Sequence, residues 1–329
     1  MTGTDRTFVI QRPRIVLELK GPQALWFLDQ LVTNKVDELA SDRVVSAFLL
    51  DPHGRIMSSL RICNRGASVS VDTESSSIDL YSFFTDRIFA TQVEIEDASE
   101  RSRVVSVFGP ASHEIVRDGL HRMDSPDAGA TYRFAAGHLI GVAAPSGIDL
   151  VVSAGMAEEV IAALVVAGAH QATNEDYERA RIQAGVPSFG VDFDETFLPQ
   201  EAAGEHAVHF DKGCYLGQEA VAMTQRGRVK RRLRWLRFED EAVLGDVRQS
   251  PVASDGTLTS AGSVTSAAGI FGIGPITTNL EDGGHVSVIA KDGAASMAVV
   301  TELPNTSRGP QVPSARALRE RLQGAADPR

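Results

Sequence analysis

The chain has 329 residues, 43% hydrophobic and 23% charged, which is too apolar for a disordered polymer and too long for one ordinary domain. Two or three domains with buried cores are expected. Its 32 lysines and arginines against 43 aspartates and glutamates give a net charge of −11, which excludes a whole-protein electrostatic footprint for nucleic acid or anionic lipid and leaves only a local basic patch as a route to a polyanion. Two cysteines, Cys63 and Cys214, exclude a disulfide framework, a four-cysteine zinc site and a complete iron–sulfur ligand set from one chain. The start shows no basic-then-apolar leader, and no run of about eighteen apolar residues occurs, so a cytoplasmic protein with no membrane segment is expected.

From Gly21, Pro22 suits a first helical position, and Ala24, Phe27, Leu28 and Leu31 recur at helical spacing, predicting an amphipathic helix that ends near Thr33 and Asn34. Residues 44–50 and 55–63 flank Asp51-Pro52-His53-Gly54, whose proline presets φ and whose glycine tolerates positive φ; a β-hairpin is predicted. A strand at 69–71, a helix over 78–89 and a strand at 93–95 complete a first α+β unit, residues 1–100. The second unit, 101–228, opens with a strand at 104–108, a helix at 111–120 and a loop at 121–129. A hairpin over 138–143 and 148–153 follows around Pro145-Ser146-Gly147, then a buried helix over 157–167 closed by Gly168. Thr173 caps the next helix, with Asp176 three residues on, and Gly185-Val186-Pro187 stops it. Beyond Val229 short strands at 264–266, 270–273, 285–289 and 297–303 alternate with Gly, Ser and Asp, predicting a small β-barrel or sandwich over 229–303. The segment 304–329 is expected to be a disordered tail or a frayed helix. No internal repeat is evident.

The densest cluster of special residues is Asp211-Lys212-Gly213-Cys214-Tyr215-Leu216-Gly217-Gln218-Glu219, ahead of a helix-compatible stretch. Glycines on both sides of the cysteine permit a sharp turn or a close approach, and a helix starting near Gly217 would aim free N–H groups at the loop. With Lys212 nearby, that setting raises the thiolate fraction of a cysteine. Cys214 is therefore either a reactive or redox-sensing thiol or a small buried hydrophobe in a tight loop. Upstream, Glu201 lies between Pro199-Gln200 and Ala202-Ala203-Gly204, either as a constrained acceptor for an amino-pyrimidine type ring or as a solvated loop carboxylate.

These residues bring a resemblance with them. Lys-Gly-Cys-Tyr-x-Gly-Gln-Glu at 212–219, Arg-Ile-x-Ala-Gly-Val-Pro-x-Phe-Gly-x-Asp at 181–192, Leu-Pro-Gln-Glu-Ala at 198–202, Arg226-Gly227 and Arg231-Arg232-Leu233 resemble the YgfZ-type folate-binding proteins, relatives of the glycine-cleavage T-protein. Near the N-terminus Phe27-Leu28, Leu31-Val32-Thr33-Asn34 and residues 49–55 look like that family's opening helix and hairpin. The resemblance spans roughly residues 15 to 300 and is weakest between about 97 and 170.

It implies an α+β, three-domain ring around a central channel that holds tetrahydrofolate or a one-carbon derivative, closed by a C-terminal small β-barrel. It further implies an accessory role in assembling, repairing or maintaining iron–sulfur enzymes, tRNA-modifying ones included, rather than conventional catalysis. By position Cys214 matches the functional cysteine, and Lys212, Tyr215, Gln218 and Glu219 complete the motif. Glu201 matches the residue that holds the pterin ring in the T-protein, and Arg226 suits the folate glutamate carboxylate. The implied partners are folate and iron–sulfur client enzymes or cluster-assembly factors. The T-protein's Asn-Ala-x-Asn segment and catalytic aspartate have no counterpart in residues 69–74, which counts against the alternative, tetrahydrofolate-dependent aminomethyl transfer; Asp72 is the residual candidate for that role.

Weaker signals have plainer readings. Seven of the twelve residues 226–237 are basic, and in a strand Lys230, Arg232 and Arg234 share one face opposite Leu233 and Trp235. Direct tRNA binding there competes with a solvated face beside Glu239, Asp240 and Glu241, which is favoured. His206 and His209 lack a further ligand beyond Cys214, so an exposed pair beside a loop is expected and no metal site is assigned. Gly272-Ile273-Gly274 is read as a turn between strands, and Cys63 as a core thiol.

Overall fold

The computed structural model describes residues 6–120, 140–144, 147–226, 229–249 and 259–304, with backbone alone at 140–144 and 224–226. The loop expected at 121–129, the turn at 145–146 and the tail beyond 304 lie outside the described residues. The first part of the chain runs β1 (Phe8–Arg12), β2 (Ile15–Lys20), α1 (Ala24–Asp29), β3 (Arg43–Leu50), β4 (Ile56–Asn64), β5 (Val69–Thr73), α2 (Leu80–Thr85) and β6 (Glu94–Asp97). Strands 2 to 6 form an antiparallel sheet in the order β3-β4-β5-β2-β6. Phe27, Leu28, Leu80 and Phe84 cover it, burying the helix faces that the spacing predicts.

The β3–β4 hairpin is the predicted one. Gly54 takes φ +78°, and the Asp51 carboxylate accepts from the His53 and Arg55 N–H groups at 2.8 Å each. The first helix differs from expectation, since it starts at Ala24 and ends at Asp29. The residues beyond it are drawn out of helical geometry by tertiary hydrogen bonds: Thr33 Oγ1 donates to Ala207 O (2.6 Å) and accepts from Phe48 N (2.8 Å), and Asn34 Nδ2 donates to Ser46 O (2.8 Å). Leu28 O still accepts from Leu31 N and Val32 N, whereas Asp29 O, the last carbonyl of α1, is met by a side chain from elsewhere in the chain.

The second part runs β7 (Ser102–Phe108), α3 (Ser112–Gly119), β8 (Ile140–Ala144), β9 (Gly147–Ser153), α4 (Ala157–Val166), β10 (His170–Gln171) and α5 (Asn174–Gln183). Its sheet order is β10-β1-β7-β9-β8, so β1 crosses into it and residues 1–100 do not fold as one contiguous sheet unit. Thr173 and Asp176 form a reciprocal capping box on α5, and Gly185, at φ +67°, follows its last turn.

The last part comprises α6 (Gln218–Arg226), β11 (Arg231–Phe238), β12 (Gly245–Gln249), β13 (Thr259–Val264), β14 (Ser266–Ala268), β15 (Phe271–Thr277), β16 (His285–Ala290) and β17 (Ala295–Thr301). Six strands, β11-β17-β16-β12-β13-β15, close into a barrel through the β11–β15 pairing, with β14 added on β15. Closure removes the sheet edges. Gly272 and Gly274 lie within β15 rather than in a turn. A methyl on Gly274 would run into the Ser263 carbonyl of β13, and one on Gly272 would crowd Val264, so the glycines permit close strand approach.

Residues 187–226 join the parts. Phe189, Phe193, Phe197, Ala202, Ala207 and Val221 bury one core with Phe48, Leu50 and Ile56 of the first sheet and Leu233 and Ile273 of the barrel. Trp235 stacks on Phe271 at 4.3 Å and donates its indole N–H to Ile182 O (2.9 Å), tying the end of α5 to the barrel.

Candidate functional site

The Cys214 loop is laid along the first sheet's connections. His209 N donates to Thr33 O (2.9 Å), and Gly217, at φ +80°, packs on the 51–54 turn so closely that a methyl there would lie 2.5 Å from Asp51 O. Between these points Cys214 is exposed, which rules out the buried-hydrophobe reading; Cys63 is buried. The Lys212 ammonium is turned to the end of α1, and its charge is met there by Asp29 and by backbone carbonyls. Burial lowers its pKa, and Asp29 works against that shift.

Tyr215 is half-buried against the joint core, and burial pushes its hydroxyl up to about 12, so it stays a neutral hydrogen-bonding group across the physiological range. Gln218 Oε1 accepts from Tyr215 N (3.0 Å), closing the turn into α6. Glu219 is exposed in the first turn of α6, where a carboxylate suits the helix dipole. Arg226 ends α6, and its side chain lies outside the described residues.

Glu201 is not a solvated loop carboxylate, since its side chain is 13% exposed. Leu198 N donates to Oε2 (3.1 Å), Arg231 Nε lies 3.5 Å from Oε1, and Leu233 N donates to the Glu201 carbonyl (2.7 Å). The neighbouring Gln200 is buried with Nε2 on Val221 O (3.2 Å), and its Oε1 has no partner among the described residues. Sequence reasoning passed over Gln200, whose only signal was its place between Pro199 and Glu201.

Three arginines of the basic strand are partly buried and face carboxylates, while Arg237 is exposed. Arg232 pairs with Glu205 (2.7 Å), Arg234 with Asp282, and Arg231 stacks on Phe197 at 3.8 Å beside Glu201. The favoured reading is a solvated face beside residues 239–241; instead three of the strand's arginines meet carboxylates that come from distant loops. Among the described residues no group of three or more His, Cys, Asp or Glu side chains is placed to hold a metal, so His206, His209 and Cys214 do not converge.

Asp72 sits in a buried ionic node that the sequence did not reveal. Arg61 forks onto it at 2.8 and 3.1 Å, and Arg14 approaches at 2.5 Å. Arg61 also reaches Asp149 (2.6 Å), which accepts from Ser106 Oγ (2.6 Å), while Arg12 joins Asp149 and Glu74 and lies 4.1 Å over the Tyr177 ring. Three arginines balance three carboxylates. Burial opposes the charge on Asp72, but Arg14 and Arg61 outweigh it and hold the carboxyl below its ordinary range. A carboxylate so held is a poor proton acceptor near neutrality.

With this geometry in place, comparison with known proteins gives the family. The GCVT N-terminal domain profile matches residues 15–212. The chain belongs to the GCVT N-terminal domain family. An aminomethyltransferase of Moorella thermoacetica is 26% identical over 310 residues, covering 88% of this chain and 83% of its own. A protein of Serratia proteamaculans named tRNA-modifying protein YgfZ is 27% identical over 246 residues, covering 67% and 68%. The YgfZ-type resemblance read from the motif therefore holds within this family. The fold matches the crystal structure of the glycine cleavage system aminomethyltransferase T from Bartonella henselae at TM-score 0.78 and 15% identity, over 91% of this chain and 86% of that one. The α+β architecture with its barrel is that of the T-protein. No helix is long and apolar enough to cross a membrane among the described residues.

Proposed function

We propose that this chain is a tetrahydrofolate-binding accessory protein that supports iron–sulfur enzymes, tRNA-modifying ones among them, with Cys214 as its working group. The observation that carries the reading is the pairing of an exposed Cys214 on an anchored loop with an Asp72 locked between two arginines. The thiol is available to a large partner, whereas the residual candidate for one-carbon transfer is already engaged. The name of the Serratia relative, a tRNA-modifying protein, supports the same direction.

The residues fit a folate in kind. A pterin presents N–H donors, and Gln200 Oε1 is a buried acceptor with no partner among the described residues, next in sequence to the partly sheltered Glu201 carboxylate. Glu201 would hold the pterin edge and Arg226 the glutamate carboxylate, with Tyr215, Gln218 and Glu219 shaping the loop beside them. Bound tetrahydrofolate supplies ring and side-chain nitrogens that can carry a one-carbon unit. The protein's own part is to hold the ring by these acceptors and to keep the Cys214 thiol at the surface, where as thiolate it can ligate a cluster-related iron species.

The test is an iron–sulfur enzyme activity, such as cluster-dependent tRNA methylthiolation, in a strain lacking its own homologue and supplied with wild type or Cys214→Ala. Restoration by wild type alone supports the reading; rescue by both removes Cys214 from it. The second reading, aminomethyl transfer, is favoured by the 26% identity to the Moorella enzyme over most of both chains. Folate-dependent turnover of an aminomethyl donor, lost in Asp72→Asn, would install it instead.

A further inference from the structure

The cysteine motif contains one side chain almost wholly withdrawn from solvent: the Lys212 side chain is 1% exposed. Its ammonium has three hydrogens and meets four oxygens: Asp29 O and Asn34 O at 2.7 Å, Val32 O at 3.0 Å and Asp29 Oδ1 at 3.1 Å. Asp29 O is a carbonyl of the last turn of α1, the kind a helix C-terminus leaves unpaired and a cation satisfies, and Val32 O and Asn34 O come from the segment that follows it. The Asp29 carboxylate is itself fixed by Val36 N (2.8 Å) and Asp37 N (3.3 Å). The seat is therefore saturated, and a buried ammonium leaves it only by losing all of these partners.

Two residues later the chain is in solvent at Cys214, and a methyl on Gly213 would touch nothing within 4 Å. At the far side Gly217 is packed against the 51–54 turn, and the Tyr215 N–H is held by Gln218. A short, glycine-containing stretch is thus pinned at both ends to the first sheet's connections, with no packing of Gly213 to fix it in between.

We propose that Lys212 is the positioning residue of Cys214: its ammonium, seated in the carbonyls of residues 29–34 and against Asp29, fixes where the thiol is presented, and it is neither a folate ligand nor a free charge beside the sulfur. This rests on the reading of Cys214 as the working group. The shape of the seat separates the roles. A guanidinium carries the same charge, but its planar fork cannot converge on four oxygens arranged around a point donor, so Lys212→Arg keeps charge and loses the seat.

The test uses the full chain with a nitroxide on the exposed Cys214, read by its spectral mobility, together with hydrogen exchange at the Tyr215 amide. Lys212→Met and Lys212→Arg are expected to mobilise the nitroxide and to speed Tyr215 exchange by about tenfold or more, as loss of charged hydrogen bonds opens the loop. Val288→Ala, in the barrel core, lowers stability without moving either readout. Wild-type mobility in Lys212→Met, or recovery of both readouts in Lys212→Arg, overturns the proposal. If the Met variant does not fold, acylation of wild type with an N-hydroxysuccinimide acetate decides: Lys20, 54% exposed, is modified and Lys212 is spared, and equal rates overturn the seat. Tetrahydrofolate binding and client activity on the same proteins separate the two ideas, since their absence in wild type ends the functional reading and leaves the loop result standing.

Discussion

Replacing Arg61 by Met tests whether the ionic node is a structural joint. Arg61 is the central cation, forked on Asp72 and bonded to Asp149, and through it β4 of the first sheet is tied to β9 of the second. Its removal takes the node from three arginines and three carboxylates to a net charge of −1 in a buried setting. Breaking a buried pair typically costs about 3–5 kcal/mol; because Arg14 still holds Asp72 and Arg12 still holds Asp149, the lower end, about 3 kcal/mol, is expected. At about 2–4 °C per kcal/mol for chains of some 150–250 residues, calorimetry should show a Tm lower by roughly 6–12 °C. The pH dependence has a defined sign. Asp72 and Asp149 are held below their ordinary range, so their stabilisation is complete above the unfolded value near 3.9 and is lost as pH falls through the folded values. The gap between wild type and Arg61→Met is therefore full at neutral pH and narrows below about pH 4. A Tm within two degrees of wild type, or a gap that stays constant into acid, refutes the reasoning.

Cys214→Ala should leave Tm nearly unchanged, within about 0.5 kcal/mol, because the side chain is exposed; only client activity should fall. Gly217→Ala places a methyl at φ +80° and 2.5 Å from Asp51 O, so denaturant unfolding should show a loss of about 2 kcal/mol or more. Glu201→Gln removes the charge facing Arg231, and titration calorimetry should show tetrahydrofolate affinity down about tenfold with the fold retained. Because Arg231, Arg232 and Arg234 are engaged by Glu201, Glu205 and Asp282, tRNA affinity should lack a steep salt dependence; a thousandfold loss between about 50 and 200 mM salt would show the strand to be free for phosphate.

Local signals were legible wherever the chemistry was local. The hairpin at 51–54, the cap at Thr173 and the start of α6 beyond Gly217 each depend on residues a few positions apart, and each is where the sequence places it. The first helix was overestimated because its periodic residues continue to Leu31, while the forces that end it come from Ala207, Phe48 and Ser46. The node was invisible for the same reason. Arg12, Asp72 and Asp149 look like three ordinary strand charges until β1 leaves the first sheet for the second. Gly272 and Gly274 read as a turn because glycine pairs usually mark one; the crowding that needs them arises only when the barrel closes. The motif identified the site family, but not the division of labour within it, in which Lys212 points inward and Cys214 outward.

That division extends to the two bodies that hold the site. The Cys214 loop takes its fixed points from the first sheet's connections, residues 29–34 and 51–54. Glu201, a short distance earlier in the chain, takes its fixed points from the barrel, through Arg231 and the Leu233 N–H. A ligand held by Glu201 and touching the 212–219 loop would therefore bridge the barrel and the first sheet, and its binding energy would act on their relative placement as well as on its own retention. The 187–226 core, whose aromatic residues pack on Phe48 and Leu50 of the first sheet and on Leu233 and Ile273 of the barrel, resists such movement. A folate held there, as proposed, would be coupled to the thiol by mechanical connection without contact between them, and one chain would then combine an interior ligand with a working group that faces solvent.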